Sequence, residues 1–335
     1  MKRVTDFANY LTRFFSEHLA GVRNLSKNTI MAYRDTYRLL LLFCHEKCNI
    51  PPEKLTIAMI DNGLIVRFLD WLQTERNCSI STRNQSLAAI HSFFRYLQAQ
   101  EPQYLFLAQK ILQVPFKKSS KTVIQHLSPE QTALLLKQPN LHTGSGRRDV
   151  TLLSVLYDTG ARVQEICDLR VRDVRLEHPA LLTLTGKGRK SRHVPLLSNT
   201  ANLLRAYMQE KGMFQNGKQD MPLFHNQRRA ALNRGGINHI LQKYMANLQG
   251  VDIPRKVTPH VLRHSKAMHL LKACVNLVYI RDILGHASIQ TTEMYARVDM
   301  ETKRKVLENA YSNITPENLP DWNRDENLLD FLKNL

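Results

Sequence analysis

The sequence of 335 residues has no uninterrupted apolar run of the roughly eighteen residues that a membrane-spanning helix needs. Its opening, MKRVTDFANYLTRFF, starts positively but lacks the apolar stretch of a secretory leader. Cysteines are scarce and odd in number: Cys44, Cys48, Cys78, Cys167 and Cys274. Such a set builds no disulfide framework and suits free thiols in a reducing compartment, so a cytoplasmic location is expected. Cys44 and Cys48 flank His45, but no second ligand pair follows at finger-like spacing. Both cysteines therefore read as buried helix positions, and no metal is expected. Internal repeats and low-complexity tracts are missing as well.

Negative charge is also short. Only 29 Asp and Glu face 47 Lys and Arg, which leaves a formal net charge of +18. A polyanionic partner is the physical implication, and nucleic acid is its first candidate, because dispersed cations neutralise phosphates without regard to sequence. An apolar fraction of 43% over this length is enough for two ordinary cores.

Residues 1–114 read as helical throughout. Apolar positions return every three or four residues in FANYLTRFFSEHL, TIMAYRDTYRLLLLFCHE, IVRFLDWLQTE and TRNQSLAAIHSFFRYLQ, which predicts a bundle of four helices. Ser26 caps the second, and Ser79 or Ser81 caps the fourth. These starts put Lys27, Asn28, Thr29 and Arg83 at helix N-termini, where backbone N–H groups favour phosphate oxygens; ordinary capping with solvated side chains explains the pattern equally well. Residues 115–127 lose this periodicity and form a basic linker. A second domain is expected over 128–311. It opens with SPEQTALLLKQ, in which Pro129 follows a Ser cap, and is broken at Thr159-Gly160. It also holds strands at Leu181 to Thr185 and Ser191 to Leu196 around a Gly-Lys-Gly turn. The fold class is thus mainly α with a small antiparallel β-sheet in the second domain. A tail, 312–335, ends in the amphipathic ENLLDFLKNL.

Four short motifs carry the chemistry. In TPHVLRH, Thr258 is the expected cap, Pro259 the first helical residue, and His260 and Arg263 share one face near the N-terminus. His260 and His264 have the spacing of a zinc pair, but Val261 stands where a metalloprotease needs its glutamate and Arg263 would repel a cation. TGARVQE sets Arg162 at a helix start with Glu165 three residues on, GKGRKSR sets Lys187 at a hairpin tip, and LGHASIQTTEMYARV sets His286 in a loop ahead of Tyr295. Each alone is ordinary: a surface ion pair, a basic turn, a loop histidine, a core aromatic.

Taken together, Arg162, Lys187, His260, Arg263, His286 and Tyr295 resemble the catalytic set of the tyrosine site-specific recombinases, or phage-type integrases. The nearest style is that of the Xer-like and transposon-borne members. The resemblance covers nearly the whole chain and implies a two-domain clamp: a helical, SAM-like core-binding bundle followed by an α+β catalytic domain. It implies a DNA strand transferase that cuts through a 3′-phosphotyrosyl intermediate, exchanges strands through a Holliday junction and needs no cofactor. Integration, excision, transposition and dimer resolution all remain open. Arg162 and Arg263 would grip the phosphate, His260 would donate to it or move the nucleophile's proton, and His286 would contact it from the loop. Tyr295 would attack once cationic neighbours favour its phenolate, and Lys187 would protonate the leaving 5′-oxygen. Lys190 rivals Lys187 for that acid role, and Lys190 and Arg192 are expected at the DNA. The implied partners are double-stranded DNA with inverted-repeat core sites, further copies of the chain (two per site, four in a synapse) and an accessory protein. The tail would dock on a neighbour or on its own domain. Two rivals on the same fold are a tyrosine-type topoisomerase and a non-catalytic DNA-binding regulator.

Overall fold

The computed structural model describes residues 4–118, 125–186, 188, 190–248, 253–254, 257–286, 288–296, 330 and 332–333. The chain divides into two compact units, Met1–Thr122 and Val123–Leu335. The tail expected over 312–335 falls outside the described residues except at three positions.

The first unit holds helices α1 (Asp6–Arg13), α2 (Lys27–Cys48), α3 (Asn62–Thr74), α4 (Ile80–Gln100) and α5 (Leu105–Leu112), with a π-helical stretch Phe14–Val22 after α1. Only four helices were expected; α5 is two turns long, too short for its periodicity to stand out, although Ala108 and Ile111 are buried. Ser26 Oγ accepts from the Thr29 N–H at 3.3 Å and Ser79 Oγ from the Thr82 N–H at 3.2 Å, so Ser79 rather than Ser81 starts α4. α4 runs through the core, burying Leu87, Ile90, Phe93, Phe94 and Leu97 at helical spacing. Phe93 meets Phe14 edge-on at 5.4 Å and Phe7 at 5.8 Å, while Phe43, Phe68 and Trp71 form a second aromatic group.

The second unit contains α6 (Pro129–Leu136), α7 (Gly144–Thr159) and α8 (Val163–Asp168), then a three-stranded antiparallel sheet of β1 (Val174–Arg175), β2 (Leu181–Thr185) and β3 (Ser191–Pro195) in the order β1-β2-β3. It continues with α9 (Ser198–Glu210), α10 (Arg234–Ala246), α11 (Pro259–Lys272), α12 (Leu277–Leu284) and α13 (Gln290–Ala296). The predicted hairpin is β2 and β3, paired Leu182 to Val194 and Leu184 to Arg192; the two-residue β1 is the strand that alternation could not register. α7 is buried on nearly all sides, and its two internal carboxylates are partnered. Asp149 takes hydrogen bonds from Arg148 and the Tyr244 hydroxyl, and Asp158 from Lys266 Nζ and the Leu197 N–H. Such pairing is the condition for keeping a charge inside. Gly160 ends α7 at φ 56°, where an added Cβ would come within 2.6 Å of Leu284 Cδ2, so both the backbone hand and the space demand glycine. Among the described residues, no helix is long and apolar enough to cross a membrane.

Candidate active site

The turn at Gly160 delivers Arg162 to the N-cap of α8. Its backbone N–H donates to Glu165 Oε2 at 2.8 Å, and its guanidinium donates to Glu165 Oε1 at 2.9 Å and to the Gly285 carbonyl at 3.0 Å. Pro259 starts α11 as expected, although the Thr258 side chain makes no capping bond, and this helix carries His260, Arg263 and His264. Arg263 is 4% exposed. It donates to the Gly160 carbonyl at 2.6 Å and the Leu284 carbonyl at 2.7 Å, the two places where α7 and α12 end and where helix dipoles are negative. Burial and the nearby Arg162 bring its pKa down to about 10, still high enough to keep the cation at neutral pH.

Arg192 was expected at the DNA, but its side chain is only 14% exposed and faces inward. Its Nη1 and Nη2 donate to the two oxygens of Glu165 at 3.0 and 2.8 Å, and its Nε donates to the Ile283 carbonyl at 2.8 Å. The strand period explains this. Arg192 and Val194 lie two apart on β3, so they share a face, and Val194 is in the core. Burial alone would push the Glu165 carboxyl up, but hydrogen bonds from Arg192 and Arg162 hold it below the usual carboxylate range. Arg83 likewise departs from expectation. It is 4% exposed and donates to Asn84 and to the Pro115 carbonyl, because its place one turn into α4 turns it toward the unit rather than toward solvent.

Tyr295 lies on α13, is 2% exposed, and packs with Ala267, Met268, Leu271, Ile280 and Leu284. Its hydroxyl is hydrogen-bonded to His264 Nδ1 at 2.6 Å, and its ring lies parallel to that of His286 at 6.3 Å. Burial raises its pKa, against the weaker opposing pull of Arg263, so here the phenol keeps its proton. His286 is fixed by a 2.8 Å bond from Nδ1 to the buried Thr292 hydroxyl. Desolvation and then Arg263, Arg162 and Arg192 depress its pKa to about 4. His260 is exposed, one helical turn from His264, with its pKa lowered by desolvation and by Arg263. Lys187 lies outside the described residues.

Clustered guanidinium groups, neutral imidazoles and a held phenol make an arrangement suited to a phosphodiester and to proton movement around it. Residues 125–302 match the phage integrase family, and residues 11–103 match the phage integrase N-terminal SAM-like domain. The chain belongs to the phage integrase family. It is a tyrosine site-specific recombinase of the Xer-like type. It is 36% identical to the putative integrase/recombinase y4rC of Sinorhizobium fredii over the full length of both chains. To the tyrosine recombinase XerC of Pelobacter propionicus it is 32% identical, over 91% of this chain and 96% of that one. Among solved structures, XerH bound to a palindromic difH substrate superposes with a TM-score of 0.68 at 23% identity, over 90% of this chain and 86% of XerH. The Tn1549 transposon integrase in complex with a circular intermediate DNA gives 0.69 at 17%, over 92% of this chain and all of that one. These last two likenesses speak to the fold.

Of the residues that the recombinase sequence offered for DNA contact, Lys27 and Asn28 are exposed in the first turn of α2, Thr29 is half-buried with its hydroxyl 3.0 Å from Ser26 Oγ, and Lys190 is exposed just before β3. His264 is the functional residue that the sequence motifs leave outside the set, since its spacing from His260 suggests only a zinc pair. Its position next to Arg263 and one turn beyond His260 was the available sign that it belongs to this group. The recombinase should also be acid-sensitive. His260, His264, His269 and His286 all have folded pKa values below the ordinary 6.5, His286 near 4, so the unfolded chain binds protons more readily. Their contribution is complete above pH 6.5 and is lost as pH falls through 6.5 toward 4. The melting temperature of the intact chain, followed from pH 7.5 to 4.5, is expected to drop across that window; a flat profile contradicts this reading.

Proposed function

We propose that this recombinase cuts DNA by attack of Tyr295 Oη on a phosphodiester held by Arg162 and Arg263. The observation that carries the reading is the convergence at the end of α12: Arg263 and Arg162 donate to the successive carbonyls of Leu284 and Gly285, and Tyr295 is bonded to the residue that follows Arg263. Charge grows on the non-bridging oxygens in the five-coordinate transition state, so cationic forks fixed there favour that state over the bound substrate. The phenol proton passes to an imidazole, with His264 already in reach and His260 one turn away. The new bond is the 3′-phosphotyrosyl ester, and the bond that breaks frees a 5′-oxygen, which takes its proton from Lys187, the residue in the GKG position. His286, neutral and fixed by Thr292, donates to the same phosphate. The ester retains the bond energy, so a 5′-hydroxyl of another strand can reverse the step without a cofactor.

Two copies on inverted-repeat core sites and four in a synapse, exchanging strands through a Holliday junction, fit relatives whose structures are described on difH and on transposon circular-intermediate DNA. Exposed Lys27, Asn28 and Lys190 would meet phosphates in that assembly. The role is integration, excision, transposition or dimer resolution, and an accessory protein would direct the outcome. Five unpaired thiols fit work in the cytoplasm.

The test begins with duplexes selected from a random-sequence pool by binding to the wild-type chain, then nicked at successive central positions. With chelator present, a denaturation-resistant protein–DNA adduct is expected, and peptide mass analysis should place the nucleotide on Tyr295. A need for divalent metal, or an adduct at another residue, overturns the reading.

A further inference from the structure

We infer that Arg192 is a positioning residue of the strand-cleavage site, acting through Glu165 and the end of α12 on Arg162, and makes no contact with DNA. The inference rests on the proposed role of Arg162. Three arginines from three separate elements donate to three consecutive carbonyls at the α12 terminus: Arg192 to Ile283, Arg263 to Leu284, Arg162 to Gly285. Two of these are the phosphate-gripping pair. Arg192 is the third, and the shared carboxylate of Glu165 ties it to Arg162, since Glu165 Oε1 accepts from Arg162 Nη1 at 2.9 Å and from Arg192 Nη1 at 3.0 Å.

The fit around Arg192 is close. An added Cβ on Gly285, which sits at φ 64°, would fall 2.7 Å from Arg192 Nη1 and 2.9 Å from its Cζ, so the guanidinium lies directly against the turn whose carbonyl Arg162 uses. With Arg192 in place, Glu165 divides its two oxygens between two cations. Without it, Arg162 alone answers the buried carboxylate, and the Ile283 carbonyl loses its side-chain donor. Both changes shift the guanidinium of Arg162 relative to the phosphate, and displacements of about 1 Å at such a site cost on the order of 10²-fold in rate. A lysine keeps the charge of Arg192 but lacks the planar fork that spans Glu165 and Ile283.

The experiment uses the full chain and the selected, nicked duplexes described above. Wild type, Arg192→Gln, Arg192→Lys and a core-destabilised control, Leu204→Ala on α9, are assayed well below the lowest melting temperature of the four. Arg192→Gln and Arg192→Lys are both expected to bind DNA with wild-type affinity and an unchanged slope of log affinity on log salt, while the adduct-forming rate at saturating DNA falls on the order of 10²-fold. Leu204→Ala is expected to keep its rate, which separates positioning from loss of stability. If Arg192 meets a phosphate instead, the glutamine variant weakens binding, the salt slope falls by about 1, and lysine restores both. That result, or an undiminished rate in Arg192→Gln, overturns the inference while leaving the recombinase reading intact. A wild-type chain that forms no adduct overturns both.

Discussion

Tyr295→Phe is expected to lower adduct formation by more than about 10³-fold, because the phenyl ring offers no oxygen to phosphorus. DNA affinity should not change, since the hydroxyl is buried against His264 and the ring remains to fill its place among Met268, Leu271, Ile280 and Leu284. Stability should move by only about 0.5–1.5 kcal/mol, the net worth of one hydrogen bond. Denaturing electrophoresis with the nicked duplexes reads the first effect, a binding titration the second and a thermal melt the third. The combination matters. A variant that binds and folds yet forms no adduct isolates the nucleophile, whereas an adduct that persists with phenylalanine removes Tyr295 from the mechanism.

Arg263→Ala should behave differently, with loss in every measurement. The side chain is buried and supplies the bonds to the Gly160 and Leu284 carbonyls, so truncation leaves two acceptors facing a cavity. Leaving a buried carbonyl without its donor costs about 1–3 kcal/mol for each of the two. The second unit should therefore melt markedly earlier, and adduct formation should vanish even where the chain remains folded. Arg263→Lys keeps the charge, yet a single ammonium cannot serve both carbonyls and a phosphate; on the order of 10²–10³-fold slower cleavage with near-normal DNA affinity is expected. Retention of the wild-type melting temperature in Arg263→Ala would mean that the carbonyl bonds do not hold α7 and α12 together.

These expectations come from features of unequal legibility. Helix starts were readable because capping is local: Ser26, Ser128 and Pro129 announce α2 and α6 within four residues of text. The hairpin was readable because Leu182, Leu184 and Val194 alternate into the core. The two-residue β1 and the eight-residue α5 offered too few positions for a period to show. At the site, residue identities were clear but directions were not. Arginine in a basic protein reads as a phosphate contact, and only the inward register of β3 and the depth of α4 show that Arg192 and Arg83 are turned inside, Arg192 onto Glu165 and Arg83 onto the Pro115 carbonyl. In the sequence, Tyr295 alone reads as a core aromatic and becomes a nucleophile only beside the other motifs. Its packing is that of a core aromatic, so to react its hydroxyl must come out of that apolar surrounding to reach phosphorus.

The three-carbonyl terminus of α12 also bears on how freely this segment can vary. The donors reach backbone oxygens, so the arginines recognise where the helix stops and are indifferent to the side chains at Ile283 and Leu284, apart from their packing. Substitutions there can drift within the apolar class without unseating a single guanidinium. Gly285 has no such latitude: a methyl group at that position collides with Arg192, and its backbone hand excludes most alternatives. A library randomised across 283–285 should therefore return varied apolar residues at the first two positions and glycine at the third.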